Sequence, residues 1–542
     1  MADDVMVVVG GGPVGATAAL LLAARGLRVH VVESGWGPSD EPKAISIDDE
    51  SLRTYAQAGV LEELLRIIVP GIGTRYYGAD GRPVFMACAP NPGAFGYPFK
   101  NPFAQPDLER VLHDAMSAHP AIRVSYGTRM VDALQDPEGV ELTVDGPQNR
   151  DTIHAAYLLG ADGGRSVTRG ILGIQMTGRS HEDVWTVIDT LNDDHRERFG
   201  MHYGTPSRPH VIVPGLDGRC RYEFRLFAGE GEAGETPDLE LIRELLAPYR
   251  SVERADVERV VNYRFHGLNA DRYRVGRIFL LGDSAHMMPP FAGQGLNSGL
   301  RDAANLCWKL AEVVGGRLDE SALDTYEAER RPHAAAMINL SERLGRIVMT
   351  TSLRVAEYRD HVIRQRLATP EGRDYFEHMR YRPQSEFRSG LILSGDGAGM
   401  LIRQPRVFDM TRGAMVELDD VLGDGWAILG VDVDGSAWDA ATTVGAHLGA
   451  VEVDLLIDGN IPARSTERRV VVDYDGSAER DFSGSAGCFV LVRPDRVAAA
   501  VWEPAASDRI GLAVAGWPSH SRIDHRRAGA VRLPPATERQ AR

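Results

Sequence analysis

The first 33 residues alternate between short apolar runs and glycine-rich turns. Val5–Val9 is an uninterrupted apolar run, which predicts a buried parallel strand. Ala16–Ala24 is rich in alanine and leucine and is followed by Gly26, which predicts a helix with a glycine at its end. Arg28–Val32 predicts a second buried strand. The pattern therefore predicts a strand–helix–strand unit of an α/β sheet.

Further along the chain the pattern changes four times. Alternating apolar and polar positions in WTVIDT, HVIVPG and RCRYEFRLF predict an antiparallel sheet with one buried face. A buried strand and a long helix follow, then a charged helical connector, then a series of short strands. We expect an α/β fold: a Rossmann-like nucleotide domain, an inserted antiparallel-sheet domain and a further C-terminal domain. The expected boundaries are 1–180 for the first part of the nucleotide domain, 181–265 for the inserted sheet, 266–390 for the return and connector, and 395–542 for the C-terminal domain.

The turn after the first strand carries G-x-G-x-x-G spacing, with glycines at 10, 12 and 15. Gly10 permits the tight turn, Gly12 lets the backbone approach a pyrophosphate, and Gly15 lets the helix pack against the strand. The helix N-terminus supplies free N–H groups for phosphates. Glu33, at the end of the second strand, is positioned to bind ribose hydroxyls and disfavours a 2′-phosphate. This unit predicts a dinucleotide site but leaves NAD and FAD open.

A second glycine-rich signal lies in GRIFLLGDSAHMMPPFAGQGLNSGLRDAANLCWKLAEVV. Ile278–Leu281 predicts a strand whose end carries Asp283, and ligands of open α/β sheets bind at that edge. Gly293, Gly295 and Asn297 then begin a helix that extends to about Val314, which makes a second anion site. A simple NAD dehydrogenase has no need of this second site.

Composition narrows the class of protein. The chain has 542 residues and a net charge of −16, which disfavours a nucleic-acid groove. Its four cysteines are far apart, so neither a metal site nor a redox dithiol is predicted. No secretion signal or membrane span is predicted, and we expect a cytoplasmic protein.

The segments GGGPVG, LLGADGGRSVTR and LLGDSAHMMPPFAGQGLNSGLRDAANLCWKL together resemble the three fingerprints of class A flavoprotein monooxygenases. AISIDDESLRT and LDTYEAERRPHA narrow the resemblance to the 3-(3-hydroxyphenyl)propionate hydroxylases and their relatives. The resemblance implies FAD as cofactor, NADH or NADPH and O2 as co-substrates, and hydroxylation through a flavin C4a-hydroperoxide. It also implies that the C-terminal domain is thioredoxin-like, here without CxxC chemistry. It implies FAD contacts from Gly10, Gly12, Pro13, Val14, Gly15, Glu33, Lys43, Gln105, Met130, Asp162, Gly163, Asp283, Gly293, Gly295, Leu296 and Asn297.

The inserted sheet is expected to cover the substrate. Along RYEFRL, the pleat places Tyr222 on one face and Arg225 on the other, which suggests an aromatic wall and a basic contact for a carboxylate. His210 is a further polar candidate, and the Pro290 carbonyl is positioned to accept a hydrogen bond from a substrate hydroxyl. A half-buried strand without any ligand role remains the alternative for this segment.

The leading hypothesis is a hydroxylase of a phenolic acid of the phenylpropanoid type. A tailoring hydroxylase or epoxidase of a larger polyketide-type aromatic would share every FAD motif. An FAD oxidase and a non-catalytic FAD-binding protein are further alternatives. The expected partners are a small aromatic substrate and O2, with neither nucleic acid nor membrane, in a monomer or homodimer.

Overall fold

The computed structural model describes residues 5–41, 43–88, 93–393, 395–458 and 468–517. The expectation that the last twenty residues are mobile concerns a segment outside the described residues. Within the described residues, no helix combines the length and the apolar character needed to cross a bilayer.

The first part of the chain forms the nucleotide domain, with a small layer of strands beside it. Its elements are β1 (Val5–Val9), α1 (Pro13–Ala24), β2 (Arg28–Val32), β3 (Ser46–Asp48), α2 (Asp49–Gln57), α3 (Leu61–Leu65), β4 (Gly73–Tyr77), β5 (Pro83–Cys88), β6 (Lys100–Pro102), α4 (Gln105–Ala118), β7 (Ile122–Ser125), β8 (Arg129–Gln135), β9 (Val140–Asp145), β10 (Arg150–Ala155), β11 (Tyr157–Gly160) and α5 (Val167–Ile171).

The middle of the chain is dominated by long strands. Its elements are β12 (Met176–Thr190), β13 (Phe199–Tyr203), β14 (His210–Pro214), β15 (Cys220–Arg225), α6 (Leu239–Leu246) and β16 (Val257–Ala270). The chain then returns to the nucleotide domain and enters the connector through β17 (Arg274–Val275), β18 (Ile278–Leu280), β19 (His286–Met287), α7 (Gly295–Val314), α8 (Thr325–Val348), α9 (Leu353–Leu367) and α10 (Pro370–Glu377).

The C-terminal region contains a second α/β unit. Its elements are β20 (Arg406–Asp409), β21 (Ala414–Glu417), α11 (Leu418–Leu422), β22 (Ala427–Val431), α12 (Trp438–Gly445), β23 (Val451–Leu456), β24 (Arg469–Val472), α13 (Ser477–Phe482), β25 (Cys488–Val492), β26 (Ala498–Trp502) and α14 (Ser507–Ala515).

The nucleotide domain is built on a six-stranded sheet in the order β17-β18-β11-β1-β2-β7. Its strands are parallel except for the β17–β18 pair. Helices α1 and α7 pack together in the main apolar core of this domain, where Leu20, Leu300 and Leu306 are buried. The carboxyl ends of β1, β2, β11 and β18 therefore meet at one edge.

The middle sheet has eight strands in the order β19-β16-β12-β15-β14-β13-β4-β5. It reaches beyond the predicted range of 181–265, since β12 begins at Met176 and β4 and β5 come from residues 73–88. It is antiparallel except where β13 pairs in parallel with β4. Local alternation does not reveal this contribution, because the pairing joins segments more than 100 residues apart.

The C-terminal sheet has seven strands in the order β21-β20-β24-β23-β22-β25-β26. Strands β22, β23 and β24 are parallel, and β25 is antiparallel to both of its neighbours. Separate apolar clusters cover its two faces, one containing Trp438 and Ile510 and the other containing Leu418 and Phe482.

Candidate active site

A cavity of about 1590 Å³ lies between the nucleotide domain and the middle sheet. The residues that follow β1, β2, β11 and β18 line one side, and one face of the middle sheet lines the other. Fourteen of the sixteen predicted FAD contacts line it, all except Gly15 and Asn297. Parallel strands bring their carboxyl ends to the same edge, which explains why residues distant in sequence meet here.

The three glycines of the first turn have different surroundings. A Cβ on Gly15 would lie 2.0 Å from the Gly10 carbonyl oxygen, so Gly15 permits close packing of α1 rather than lining the cavity. Gly10 has φ of +100°, and a Cβ there would lie 2.4 Å from the Ala161 carbonyl oxygen. Gly12 precedes α1, and a Cβ there would meet no atom within 4 Å. Open space beside Gly12 at a helix N-terminus fits a pyrophosphate.

Glu33 lies at the end of β2, where its carboxylate accepts hydrogen bonds from two backbone groups. Oε2 accepts from the N–H of Gly11 at 2.6 Å, and Oε1 accepts from the N–H of Gly35 at 2.5 Å. A carboxylate has about four lone-pair sites, so Glu33 retains acceptor capacity toward the cavity. The two backbone bonds fix its orientation for ribose hydroxyls.

Lys43, Gln105 and Met130 also line the cavity. The Lys43 ammonium lies 3.1 Å from Glu41 and is largely exposed. The amide of Gln105 accepts a hydrogen bond from the Ala44 N–H at 2.7 Å, which fixes the segment that carries Lys43. Met130 is buried and adds an apolar surface beside Glu33.

Asp162 holds the turn after β11 rather than presenting a free carboxylate. It accepts hydrogen bonds from the Ser166 hydroxyl at 2.6 Å and from the backbone and side chain of Thr168 at 2.9 and 3.0 Å. Gly163, with φ of +78°, then leaves room for a close ligand. The Arg169 guanidinium donates to the Ser284 carbonyl at 3.0 Å, so it joins this turn to the one after β18.

Asp283 points into the cavity from the turn after β18. Desolvation by the surrounding protein raises the pKa of the Asp283 carboxyl, and the positive charge of a protonated His286 would lower it. His286 is fully buried, and its Nε2 lies 2.7 Å from the carboxylate of Asp302. Asp302 also accepts a hydrogen bond from the Gly282 N–H at 3.0 Å, so this buried pair supports the turn that presents Asp283.

The segment Gly293–Asn297 leads into α7. Asn297 is fully buried, and its amide donates to the Ser46 carbonyl at 3.0 Å and accepts from the Ser51 hydroxyl at 2.7 Å. It therefore anchors the loop instead of touching a ligand through its side chain. The first N–H groups of α7, beginning at Gly295, have no partner within the helix and face the cavity with Leu296. These groups fit the pyrimidine end of a flavin, where negative charge accumulates on reduction.

Pro290 and Phe291 lie at the end of the cavity beside this loop. The Pro290 carbonyl accepts a hydrogen bond from the Gly293 N–H at 2.7 Å, which leaves its second lone pair available. Phe291 packs edge-on against Trp185 and Phe265 of the middle sheet, with ring centroids 5.5 and 5.2 Å away. Phe265 and Phe291 both line the cavity, so this end has an apolar aromatic wall.

Three residues predicted to contact the substrate lie elsewhere. Tyr222 faces the opposite side of the sheet from the cavity, in the apolar cluster under α6, where its hydroxyl donates to Asp193 at 2.9 Å. His210 is on the same side, and it pairs with Tyr249 and stacks on Tyr203. Arg225 is on the cavity face but pairs with Asp183 and is outside the lining. The aromatic face of β15 points away from the cavity because α6 packs against it. The sequence does not indicate which face of the strand a helix covers.

The hydrogen bond from Tyr222 to Asp193 also bears on whether a metal ion binds nearby. Asp193, His195 and Cys220 place potential ligand atoms within 4.8 Å of one another. However, the Asp193 carboxylate already accepts hydrogen bonds from Tyr222 and from Arg250 at 3.0 Å, which satisfies it without an ion.

Sequence reasoning missed four polar groups that β6 and the middle sheet bring to the cavity. Lys100, His202, Arg221 and Glu223 all line the cavity. Arg221 makes a bidentate pair with Asp189 at 2.7 and 3.1 Å. Burial lowers the pKa of His202 to about 3, so the ring is neutral. The alternation of side chains along β15 places Arg221 and Glu223 on the face opposite Tyr222. This alternation is the sequence feature from which the cavity face could have been predicted.

The fold and the cavity define a dinucleotide-binding protein whose site has an aromatic end. Residues 3–341 match the model of the FAD binding domain family, and residues 399–515 match the HcaD C-terminal domain. The predicted FAD cofactor is thereby confirmed, with NAD(P)H as co-substrate.

Relatives narrow the family further. The chain is 36% identical to a 3-(3-hydroxy-phenyl)propionate/3-hydroxycinnamic acid hydroxylase of Mycolicibacterium smegmatis, over 91% of this chain and 89% of the relative. It is 38% identical to such a hydroxylase, numbered 2, of Burkholderia vietnamiensis, over 93% of this chain and 94% of the relative. The chain belongs to the FAD-dependent aromatic hydroxylases, and the predicted enzyme class is confirmed.

Solved structures share the fold. The flavin-dependent monooxygenase PieE, determined in complex with FAD and substrate, matches with a TM-score of 0.76 at 20% identity, over 94% of this chain and 98% of PieE. Aklavinone-11 hydroxylase, in a ternary complex with FAD and aklavinone, matches with a TM-score of 0.74 at 23% identity, over the same shares.

Proposed function

We propose that this enzyme hydroxylates a phenolic acid of the phenylpropanoid type, such as 3-(3-hydroxyphenyl)propionate, using NADH or NADPH and O2. The observation that carries the proposal is Lys100, a cation that lines the cavity. Two relatives are named for substrates that combine a phenol with a carboxylate. The proposal thus joins the relatives' substrate class to a group in this chain able to bind it.

Lys100 lies on β6, between the loop after Pro290 and the middle sheet. Its ammonium donates to the Thr74 hydroxyl at 3.0 Å. Within the described residues, no carboxylate lies within 4.0 Å of the Lys100 ammonium. Its Cε would lie 3.7 Å from a Cβ on Gly293, so it is adjacent to the flavin loop. A partly buried cation without a carboxylate partner favours an anionic ligand.

The surface between Lys100 and Phe291 suits an aromatic ring. Val187, Val211, Val213 and Val261 project from neighbouring strands into the cavity. We propose that the ring of the substrate packs on these valines while its carboxylate pairs with Lys100. Bound FAD, once reduced by NAD(P)H, supplies the activation of O2.

The proposed roles of the chain follow from this arrangement. The N–H groups at the start of α7 stabilise negative charge on the cofactor, and the Pro290 carbonyl accepts a hydrogen bond from the substrate hydroxyl. Gly10, Gly12 and Glu33 hold the dinucleotide end, with Lys43 near the pyrophosphate. Phe291 excludes water during the reaction.

A polyketide-type aromatic is the alternative substrate class. Structural neighbours such as aklavinone-11 hydroxylase share the fold at identities that support no more than the fold. Lys100 separates the two classes, because a neutral polycyclic substrate would leave this cation without a partner.

We propose that the C-terminal domain is thioredoxin-like and lacks redox chemistry. Support comes from the connections between its elements. The strands β22 and β23 are parallel and are joined through α12. Later in the chain come β25, β26 and α14, and β25 is antiparallel to both β22 and β26. The strand order β26-β25-β22-β23 within this sheet is that of the thioredoxin core. Its single cysteine, Cys488, cannot form a CxxC pair.

We also propose a cytoplasmic monomer or homodimer. All four cysteines are free thiols, which suits a reducing compartment. Size-exclusion chromatography with light scattering would distinguish the two oligomeric states.

The experiment for the proposed function measures product formed per nucleotide consumed. FAD-loaded protein is given NADH or NADPH, with and without 3-(3-hydroxyphenyl)propionate. We expect the acid to stimulate nucleotide oxidation and to give nearly one hydroxylated product per nucleotide. Stimulation that yields only hydrogen peroxide would reject this substrate, and stimulation by polycyclic aromatics alone would favour the alternative class.

A further inference from the structure

We propose that Glu223 is the catalytic base that accepts the proton of the substrate's phenolic hydroxyl. This inference rests on the proposed function, because it needs a substrate with an ionisable hydroxyl on the ring. A phenol becomes electron-rich enough to be hydroxylated when its proton is removed. The Pro290 carbonyl can accept a hydrogen bond from this hydroxyl but is too weak a base to take its proton, so the site needs a second acceptor for the transfer.

Glu223 lies at the centre of the cavity face of the middle sheet. On β15 it pairs with Val211 on one side and Val187 on the other. It is 6% exposed, and it lines the cavity. No described group donates a hydrogen bond to its carboxyl; the nearest cation, Arg221, lies 3.9 Å away. The carboxyl therefore opens onto the cavity without a hydrogen-bond donor from the described protein, so its oxygens are available to a ligand there.

The cations near Glu223 direct their hydrogen bonds to other groups. The Arg221 guanidinium is bound through two hydrogen bonds to Asp189, and its third donor group reaches the Lys43 carbonyl at 2.6 Å. Lys100 donates to Thr74 instead. Asp189 thus accepts two hydrogen bonds from Arg221, whereas no described side chain donates one to Glu223.

The position of Glu223 suits a ring held near Phe291. Trp185 lies diagonally across from Glu223 on β12, and its ring contacts Phe291. Diagonal neighbours across a strand pair lie about 7–8 Å apart. A phenol that packs on Phe291 could thus direct its hydroxyl at Glu223 from the floor of the cavity.

Electrostatics support an exchange of protons with a phenol. Burial raises the pKa of the Glu223 carboxyl, and Asp189 raises it further, while Arg221 and Lys100 lower it. The neighbouring Tyr263 has a pKa well above its usual range, so it stays neutral. A carboxyl whose pKa is moved toward that of its partner exchanges protons more readily, which is the usual property of a general base.

The proposed step balances. The phenolic O–H bond breaks, an O–H bond forms on the Glu223 carboxylate, and the electron pair left on the phenolic oxygen enters the ring. The ring carbon then attacks the activated oxygen that the established reaction supplies. A C–O bond forms as the O–O bond of that oxygen species breaks. The C–H bond at the attacked carbon then breaks, its electron pair restores the aromatic ring, and its proton leaves with the water that the reaction releases. Glu223 returns its own proton to the phenolic oxygen, so the residue is unchanged after turnover.

The test compares Glu223→Gln with Glu182→Gln. Glu182 is an exposed residue of β12 outside the cavity lining, which makes it the matched control. General-base catalysis contributes about 10²–10⁴-fold. We expect Glu223→Gln to lower the rate of product formation by about that factor. FAD affinity should remain near wild type, and for the NAD(P)H that it consumes the variant should release hydrogen peroxide in place of hydroxylated product.

A purely structural role for Glu223 would leave a different signature. If Glu223 is the base, a ring-fluorinated substrate with a more acidic hydroxyl should restore product formation in Glu223→Gln, and raising the pH should restore it partly. Equal product yield in Glu223→Gln and the wild type would overturn the inference. Loss of FAD binding together with product would overturn it as well, in favour of a role in folding.

Failure of the proposed function would be visible separately. In that case the wild-type enzyme would itself give no product from any phenolic acid. Hydroxylation by the wild type that Glu223→Gln leaves unchanged would refute the assignment of Glu223 alone.

Discussion

Substitution of Lys100 by methionine tests how the enzyme selects its substrate. Methionine keeps the length and the apolar stem of lysine but removes its charge and its donors. The Lys100 ammonium bonds Thr74 and has no described carboxylate within 4.0 Å, so its loss breaks no ion pair of the fold. We therefore expect the folded protein and its FAD affinity to persist.

The expected magnitude follows from the contact that a substrate carboxylate would make. A hydrogen bond to a charged group contributes about 1.5–3 kcal/mol. That range corresponds to roughly a 10- to 150-fold change in dissociation constant. Lys100→Met should lose this factor for the acid, whereas Lys100→Arg, which keeps the charge, should lose less.

The assay is a titration followed by the change in flavin absorbance. The ligands are 3-(3-hydroxyphenyl)propionate and its primary amide, which has nearly the same shape without the charge. Wild-type enzyme should prefer the acid, and Lys100→Met should bind both with similar affinity. Arg150→Met, at an exposed cation on β10, is the control. An unchanged preference for the acid in Lys100→Met would refute the assignment.

The pH dependence gives an independent check on the same residue. Burial, with a smaller effect from Arg382, lowers the pKa of Lys100 to about 8, while Asp48 and Glu223 act in the opposite direction. The cationic form binds the carboxylate, so affinity should be full below pH 8 and should fall above it. Because a bound carboxylate raises the pKa of Lys100, the fall in affinity should level off only above that higher pKa. The amide should show no such fall.

Three further predictions concern the cofactor site and the fold. Gly12→Val should keep the fold, since a Cβ there meets no atom within 4 Å, but should weaken FAD binding at least tenfold as measured by flavin fluorescence. Gly15→Ala should instead lower the free energy of unfolding by about 1–3 kcal/mol, because its Cβ would lie 2.0 Å from the Gly10 carbonyl; unchanged urea unfolding would contradict this. Glu329→Gln should lower it by about 3 kcal/mol, because the buried Arg493 and Lys309 lose a shared carboxylate; a loss under 1 kcal/mol would contradict this.

The nucleotide site could largely be predicted from the sequence. The strand Val5–Val9, the strand Arg28–Val32 and the end of α7 at Val314 occur where the pattern predicts them. Local chemistry determines these features, because glycine spacing and short apolar runs act over a few residues. Asp283 likewise lines the cavity because it follows a parallel strand.

The substrate side could not be predicted as well. Alternation along β15 correctly separates Tyr222 from Glu223, yet it does not say which face a helix covers. Lys100 and Thr74 reach the cavity through β6 and β4, and the β4–β13 pairing joins residues far apart in the sequence. Contacts of this kind depend on the packing of whole sheets, and no local pattern encodes them.

The central claim is that this chain inserts one oxygen atom from O2 into an aromatic ring. The most direct measurement incubates the FAD-loaded enzyme with NAD(P)H and 3-(3-hydroxyphenyl)propionate under ¹⁸O₂ and determines the product mass. The account predicts a product heavier by one ¹⁸O atom, and no label when the isotope is supplied as water. Unlabelled product under ¹⁸O₂, or hydrogen peroxide without any hydroxylated aromatic for every phenolic substrate tried, would contradict it.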